Sequence, residues 1–245
     1  MTISIIMPAD LDSGSRCPLV IFNDGQDFER LQMEPVVAAL ESNGSGSFIV
    51  VGIHANDQRI FEYGTIAEAD YAGRGNKAGA TAEFVVEELI PFIKSQYPVK
   101  ERAIIYAGFS LGGLMALDAV WNYPDTFAKA GVFSGALWWR RTALQDGYRD
   151  SDRIMHAQLR EAAYQPGLQF WFQCGSMDET DDRDGDGVID SIQDTLECVA
   201  ELERKGYKWN RDVFYTEIAL GEHNQETWSA ALPAFFKWAL SGLGH

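Results

Sequence analysis

Residues 103–113 read AIIYAGFSLGG, an apolar run that leads into a serine flanked by glycines. The run Ala103 to Tyr106 has the length and composition of a buried strand, and Leu111 to Trp121 predicts a helix that ends before Pro124. A serine on a sharp turn between a strand and a helix is typical of a nucleophile elbow, whose glycines prevent steric collisions. Ser110 is therefore the predicted nucleophile, and the alternative is a serine that only caps the helix.

Short apolar runs of strand length recur along the chain and alternate with segments of helical spacing, such as Thr81 to Tyr97. This alternation predicts an α/β domain with a mainly parallel central sheet and helices on both faces. Together with the serine turn, it predicts the α/β-hydrolase fold in one domain spanning residues 1–245. Residues 137–167 interrupt the alternation, and we interpret them as a small cap-like insertion over the active site.

Composition excludes several classes of protein. The 245 residues are 46% hydrophobic with 8 Pro, which is incompatible with a disordered or collagen-like chain. The net charge of −16 argues against nucleic acid and anionic membrane surfaces as partners. Three cysteines without metal-ligand spacing, together with no visible signal peptide, lead us to expect a cytoplasmic protein. The sequence leaves the oligomeric state open.

Four histidines are the candidates for the general base that a serine nucleophile requires. His223 is the first choice because it follows the last predicted strand. The acid is expected in the loop after the Leu168 to Gln173 strand, where Asp178 is preferred and Glu179 is the alternative. The resulting chain order of serine, acid and histidine is that of α/β-hydrolases.

An oxyanion hole needs backbone N–H donors directed at the reacting carbonyl oxygen. We predict one donor at Leu111, after the serine, and a second at Gln26, in an Asp-Gly loop that follows an early strand. The alternative for that loop is an ordinary turn. His54 at a strand end, and Trp138 and Trp139 at the start of the insertion, are candidate substrate contacts, with plain packing as the alternative.

Assembled in this way, the motifs resemble the Putative esterase family, which includes esterase D and the enterochelin esterases. The resemblance covers most of the chain and rests on four motifs: Asp-Gly-Gln at 24–26, Gly-x-Ser-x-Gly-Gly at 108–113, Gly-x-x-Asp at 175–178, and Gly-x-His followed by Trp at 221–228. It implies that Ser110, Asp178 and His223 form the triad. Arg59 lies in a segment that resembles one beside the family's pocket, which implies a substrate contact.

The resemblance implies ester hydrolysis through an acyl-enzyme on a small-molecule ester. Members act on siderophore, feruloyl, acetyl-sugar and S-formylglutathione esters, so the resemblance does not name the substrate. Glu222 and Gln225 depart from the family pattern beside the base, which again concerns the substrate more than the reaction. The alternatives are an acyltransferase and a non-catalytic ligand-binding protein of the same fold.

An acidic loop at residues 181–194 follows the predicted acid. Residues 182–190 read DRDGDGVID, which matches the first nine positions of an EF-hand loop and predicts a structural Ca²⁺ site. Position 12 is Gln193 instead of a bidentate glutamate, so a weakened affinity is expected. The alternative is a solvated acidic loop, and no cofactor is expected for the chemistry. The predicted ligands are Asp182, Asp184, Asp186, the carbonyl of Val188, and Asp190.

Overall fold

Seven strands form one sheet in the order β1-β3-β2-β4-β5-β6-β7 in the computed structural model, which describes residues 1–8 and 16–243. All neighbouring strands are parallel except β1, which is antiparallel to β3 at the sheet edge. The prediction of a mainly parallel sheet is confirmed. The strands are β1 (Ile3–Ile6), β2 (Cys17–Asn23), β3 (Ile49–Ile53), β4 (Val99–Phe109), β5 (Lys129–Phe133), β6 (Gln169–Met177) and β7 (Val213–Glu222).

Helices cover both faces of the sheet, as predicted. They are α1 (Met33–Ser42), α2 (Arg59–Glu62), α3 (Ala78–Glu83), α4 (Ile90–Gln96), α5 (Leu111–Asn122), α6 (Ile154–Glu161), α7 (Asp190–Lys205) and α8 (Gln225–Leu240). A π-helical segment, Phe84–Leu89, joins α3 to α4, and the tyrosine and proline beyond α4 end the helical run. Within the described part of the chain, no helix combines the length and apolarity needed to cross a membrane.

The core has two layers because successive side chains of a strand point to opposite faces. In β2, Leu19 and Ile21 join the cluster that contains α5, whereas Val20 and Phe22 join the cluster that contains α1 and α8. The ring of Phe22 contacts five other phenylalanine rings, all in its own layer of the core. Fully burying one phenylalanine side chain contributes roughly 1.5–3 kcal/mol to the stability of the fold. This packing makes the sheet a rigid support for the loops at its ends.

The carboxyl ends of the parallel strands lie at one edge of the sheet, so the residues that follow them gather there. Strands β2, β4, β5, β6 and β7 are each followed, directly or through a short turn, by a polar residue. These residues are Asp24, Ser110, Ser134, Asp178 and His223. The fold therefore assembles the candidate site from loops that are far apart in the chain.

The insertion at 137–167 contains two short 3-10 turns and α6, and it packs against α7. Arg153 is buried and forms ion pairs with Asp194 and Glu197 of α7. Arg160 donates two hydrogen bonds to Glu201, at 3.0 and 2.6 Å. The insertion is thus anchored to the helix that follows the acidic loop.

A buried carboxylate, Asp118, connects the insertion to helix α5 and makes folding pH-dependent. Its Oδ2 accepts a hydrogen bond from the Ile66 N–H at 2.8 Å, and Gln158 of α6 lies beside it. Burial raises the pKa of Asp118 to about 7 from its ordinary value of 3.8. The unfolded chain therefore releases this proton at a lower pH than the folded chain, and stability is lost as the pH rises through the interval between the two values.

We expect Asp118→Asn to stabilise the fold at alkaline pH, because the amide stays neutral and keeps the acceptor for Ile66. The gain over the native chain should grow as the pH rises and level off above pH about 7, at no more than roughly 4 kcal/mol. Melting temperatures measured across that range provide the check. A variant that is equally destabilised at every pH would show that the cavity packing, and not the charge, dominates at this position.

Candidate active site

The candidate nucleophile lies on a strained turn between β4 and α5. Ser110 has φ 54° and ψ −120°, a region that residues with a side chain rarely occupy. Its N–H donates to the Phe133 carbonyl at 2.8 Å, and its carbonyl accepts from the Ala136 N–H at 3.0 Å. These hydrogen bonds fix the turn against β5 and the residues that follow it. A strained backbone conformation persists only where surrounding contacts hold it in this way, and such strain is common at functional sites.

Glycines around the serine are required by close backbone contacts. A Cβ at Gly108 would lie 2.3 Å from the carbonyl oxygen of Gly112, and a Cβ at Gly112 would lie 2.7 Å from Asp24 Oδ2. No heavier side chain fits between the strand, the helix and the loop after β2. The glycine spacing seen in the sequence therefore has a steric cause in the fold.

Trp228 connects the candidate base to the nucleophile turn. The imidazole of His223 meets its indole edge-on, with ring centroids 5.2 Å apart. The indole also stacks on Phe109, the residue before Ser110, with ring centroids 5.1 Å apart. Through this shared ring, the residue after β7 and the turn after β4 occupy the same part of the sheet edge.

The loop that bears the candidate acid lies beside the end of β7 because two strand ends approach closely. The N–H of Asp178 donates to the carbonyl of Gly175 at 3.2 Å, which forms a turn at the end of β6. A Cβ at Gly175 would lie 2.3 Å from the carbonyl oxygen of Gly221 in β7. The glycine thus permits a backbone contact that places Asp178 next to the segment bearing His223.

The electrostatics of the base and acid are coupled. Desolvation lowers the pKa of His223, the Asp178 carboxylate acts to raise it, and Arg59 lowers it further. Burial raises the pKa of Asp178, whereas Ser134 and His223 act to lower it. A lowered histidine pKa favours neutral imidazole near neutral pH, which is the form able to accept a serine proton.

Glu179, the alternative acid, has different neighbours. Burial raises its pKa, a hydrogen bond from the Ser191 backbone acts to lower it, and repulsion from three further carboxylates raises it. Those carboxylates belong to the acidic loop and α7: Asp190, Asp181 and Asp194. The charged neighbours of Glu179 therefore belong to the acidic loop and α7.

The predicted oxyanion donors lie on the two loops that flank the serine. Leu111 is the first residue of α5, so its N–H has no intrahelical acceptor and the positive end of the helix is directed at the site. Gln26 is in the 3-10 turn Gly25–Asp27, and its side-chain Oε1 accepts from the Ala55 N–H at 2.8 Å. A Cβ at Gly25 would lie 2.5 Å from the backbone of Gly52 in β3, so the turn is packed directly on the sheet.

Comparison with known proteins identifies the family. A family model described as Putative esterase matches residues 1–239. The chain belongs to this esterase family. The membership agrees with the resemblance inferred from the motifs and places the esterase among hydrolases of ester bonds.

Sequence relatives of the esterase include proteins of different length. The uncharacterized protein YjcH of Bacillus subtilis is 24% identical over 97% of this chain and 90% of its own. The iron(III) enterobactin esterase of Escherichia coli K12 is 35% identical over 53% of this chain, but only 31% of its own length is covered. The esterase thus matches a part of the enterobactin enzyme.

Solved structures share the fold of the esterase. The enterochelin esterase of Shigella flexneri superposes with a TM-score of 0.75 at 21% identity, covering 99% of this chain and 55% of that one. A ferulic acid esterase superposes with a TM-score of 0.68 at 15% identity, covering 99% and 98%. The esterase therefore spans about half the length of the Shigella protein and nearly all of the second.

Two of the residues predicted to contact substrate have other partners within the esterase. Arg59 forms an ion pair with the buried Asp24, with both nitrogen–oxygen distances at 2.7 Å. Trp139 is fully buried, and its ring packs where a Cβ of Gly75 would approach to 2.9 Å. Its assignment to a substrate-binding wall is corrected, because a ring with no exposed surface cannot contact a ligand in this conformation.

The other two predicted substrate contacts line separate cavities. The Nε2 atom of His54 lies 2.8 Å from Ser4 Oγ, and both residues line a cavity of about 650 Å³ beside Gln26. Trp138 is half-buried and lines a cleft of about 240 Å³. That cleft extends from the insertion to the residue next to Asp178, and its lining includes Tyr71, Arg74, Arg140 and Glu179.

The acidic loop brings three of the predicted metal ligands together. Oxygens of Asp182, Asp184 and Asp186 all lie within 4.8 Å of one another, and the three residues are exposed. Asp190, predicted as the fourth carboxylate ligand, instead accepts two hydrogen bonds from Arg183, from the backbone N–H at 2.8 Å and from Nη1 at 3.0 Å. Its assignment as a ligand is corrected in this conformation, since the guanidinium competes for the carboxylate.

Val188, whose carbonyl is a predicted ligand, contacts the same cluster through its N–H. Its N–H donates to Asp186 Oδ1 at 2.8 Å. Gln193, at the position where an EF-hand has its bidentate glutamate, donates instead to Asp184 Oδ2 at 2.8 Å. Three hard oxygen donors from one loop fit Ca²⁺ by chemistry, and further oxygens would have to come from carbonyls or water.

Several residues of the site were not predicted from the sequence. Asn23 ends β2, where its Nδ2 donates to the Gly112 carbonyl at 2.8 Å and its Oδ1 accepts from the Tyr106 hydroxyl at 2.8 Å. Ser134 follows β5 and accepts from Trp228 Nε1 at 3.0 Å. The available signal was position, because both residues stand at the carboxyl end of a predicted strand.

Proposed function

We propose that the esterase hydrolyses carboxylic esters through a covalent acyl-enzyme, with Ser110 as nucleophile, His223 as general base and Asp178 as the acid that orients the base. The observation that carries the proposal is the strained Ser110 turn at φ 54°, at the sheet edge where the other two residues follow their strands. Family membership supports the reaction class.

The chemistry follows from these roles. His223 accepts the hydroxyl proton as Ser110 Oγ attacks the acyl carbon, and the resulting oxyanion receives hydrogen bonds from the N–H groups of Leu111 and Gln26. The imidazolium then protonates the departing alcohol, and the carbon–oxygen bond to that alcohol breaks. Water repeats the sequence on the acyl-enzyme, which releases the carboxylic acid and restores the serine. Asp178 stabilises the transient imidazolium throughout.

We further propose that the acyl group is aromatic. The cleft that contains Trp138 and Tyr71 has a volume of about 240 Å³, and these two rings are the aromatic part of its lining. Arg140 lies over both rings, at 5.5 and 5.4 Å from their centroids, and gives the cleft a stacked, planar lining. Relatives are named for enterobactin and ferulic acid, whose acyl groups contain aromatic rings.

A panel of esters tests this function. We expect turnover of a short-chain nitrophenyl ester, with kcat/KM at least about tenfold higher for feruloyl or catechol esters than for acetylated sugars. A preference for acetylated sugars would contradict the proposal of an aromatic acyl group but would leave the proposed esterase activity intact. Adding alcohol acceptors and measuring the ratio of new ester to free acid separates a hydrolase from an acyltransferase. Binding of these esters without turnover would contradict the proposed enzymatic activity.

We propose that the acidic loop binds a structural Ca²⁺ through Asp182, Asp184 and Asp186. Their converging oxygens and the matching EF-hand pattern support this, and the ion would offset repulsion among exposed carboxylates. The chemistry of the triad does not pass through the ion.

Calcium is expected to raise the melting temperature relative to chelator. At a free concentration about 100 times Kd the stabilisation is roughly 2.7 kcal/mol, or about 5–10 °C for a domain of this size. Asp186→Ala should abolish the increase, whereas Asp125→Ala, at a remote exposed turn, should retain it. Identical melting curves of the native chain in calcium and in chelator would contradict the site.

A further inference from the structure

The loop that bears the predicted oxyanion donor begins with a buried charge in an unusual conformation. Asp24 is 3% exposed and has φ 63°, in the left-handed region that non-glycine residues seldom adopt. Its N–H donates to the Tyr63 hydroxyl at 3.3 Å, and its Oδ1 accepts from Gln26 Nε2 at 3.2 Å. The carboxylate therefore holds the same loop whose backbone N–H is the proposed donor.

Arg59, the first residue of α2, compensates this buried carboxylate. Its Nε and Nη2 reach the two carboxylate oxygens of Asp24 at 2.7 Å each, in the two-pronged geometry that favours arginine over lysine. The guanidinium also lies 5.1 Å from the ring centroid of Tyr63. About a third of the Arg59 side chain is exposed, at 33%, so a small cation can enter its place.

The same pair touches the nucleophile turn. Arg59 Nη2 lies 3.5 Å from the carbonyl oxygen of Phe109, which precedes Ser110. Gly112, in the first turn of α5, is so close to Asp24 Oδ2 that a Cβ would lie at 2.7 Å. The ion pair thus spans the two loops whose relative position defines an oxyanion hole.

We propose that the Arg59–Asp24 ion pair positions the oxyanion loop against the nucleophile turn, and that Arg59 is a positioning residue and not a substrate ligand. The inference rests on the proposed function. Removing the guanidinium leaves an uncompensated buried carboxylate, which is costly enough to displace the loop. Because the oxyanion forms only during reaction, the loss should appear in kcat and not in KM.

The experiment is chemical rescue of Arg59→Ala with guanidinium, using a short-chain nitrophenyl ester. We expect kcat about 100-fold lower than in the native enzyme with KM changed less than about threefold, as for the loss of one oxyanion donor. Added guanidinium should restore at least about tenfold of kcat, whereas ethylammonium at the same concentration should not, since it lacks the two-pronged geometry.

The control is Arg160→Ala, which breaks another ion pair with a buried carboxylate: Nε and Nη2 of Arg160 both donate to Oε1 of Glu201 on α7, which also pairs with Arg204. Its kcat should stay within about threefold of the native value and be insensitive to guanidinium. Where Arg59→Ala does not fold, Asp24→Asn serves instead: it should lower kcat similarly, and guanidinium should fail to rescue it.

Three results would overturn the inference. A raised KM with unchanged kcat in Arg59→Ala would make Arg59 a substrate ligand. Activity equal to that of Arg160→Ala would deny it any role in the site. If guanidinium and ethylammonium restore kcat equally, Arg59 would act through its positive charge alone and not through its two-pronged geometry. An inactive native enzyme would instead refute the proposed function, and the inference with it.

Discussion

Replacing Ser110 with alanine is expected to lower kcat for a short-chain nitrophenyl ester by about 10⁴- to 10⁶-fold, since no other group can form the acyl-enzyme. Binding should persist because the oxyanion donors and the cleft remain. The exposed Ser95, at the far end of α4, provides the matched control, and Ser95→Ala should keep native activity.

Covalent labelling provides an independent measurement of the same prediction. A fluorophosphonate should add one phosphonyl group to the native chain, as Ser110 Oγ bonds to phosphorus and fluoride leaves. Intact-mass analysis should show this addition in the native protein and in Ser95→Ala, but not in Ser110→Ala. Ester turnover that survives in Ser110→Ala at the native rate would remove Ser110 from the mechanism.

The second large effect concerns the acid. Asp178→Asn should lower kcat by about 10³- to 10⁴-fold, because an amide neither stabilises the imidazolium nor enforces the reactive tautomer of His223. Since Asp178 raises the pKa of His223, its loss should also move the acid limb of the kcat/KM profile to lower pH. Steady-state kinetics across a pH series measure both effects.

Glu179→Gln is the matched control for that experiment. Its charged neighbours are carboxylates of the acidic loop and α7, so kcat should remain within about threefold. The reverse pattern, with Glu179→Gln inactive and Asp178→Asn active, would exchange the two roles. Equal losses in both variants would indicate a disturbed loop, which a melting curve would reveal.

Local patterns were sufficient for the elements that carry the site. The strand–turn–helix around Ser110 occurs where apolar periodicity and glycine spacing predict it. Periodicity indicates which face of an element is buried, and a pair of glycines indicates a close backbone contact. Both features can therefore be predicted without the tertiary fold. Element ends were less predictable, since the helical run expected from Thr81 begins at Ala78.

Contacts between residues that are far apart in the chain could not be predicted in this way. Arg59 and Asp24 are separated by 35 positions, and nothing in either local pattern indicates that one charge compensates the other. Trp139 is an aromatic residue of the kind that often lines a pocket, but after the turn that follows β5 its side chain is fully buried in the core. In the acidic loop, Arg183 takes Asp190 away from the ligand pattern that spacing alone predicts.

From sequence alone came the α/β class, the order of its strands and helices along the chain, and the identity of the serine turn, because each depends on residues a few positions apart. Tertiary structure alone decided which charges act on the histidine, what Arg59 pairs with and which aromatic side chains stay exposed. Those outcomes depend on how closely strand ends approach and on which charges lose water together, and both are set by packing across the whole sheet.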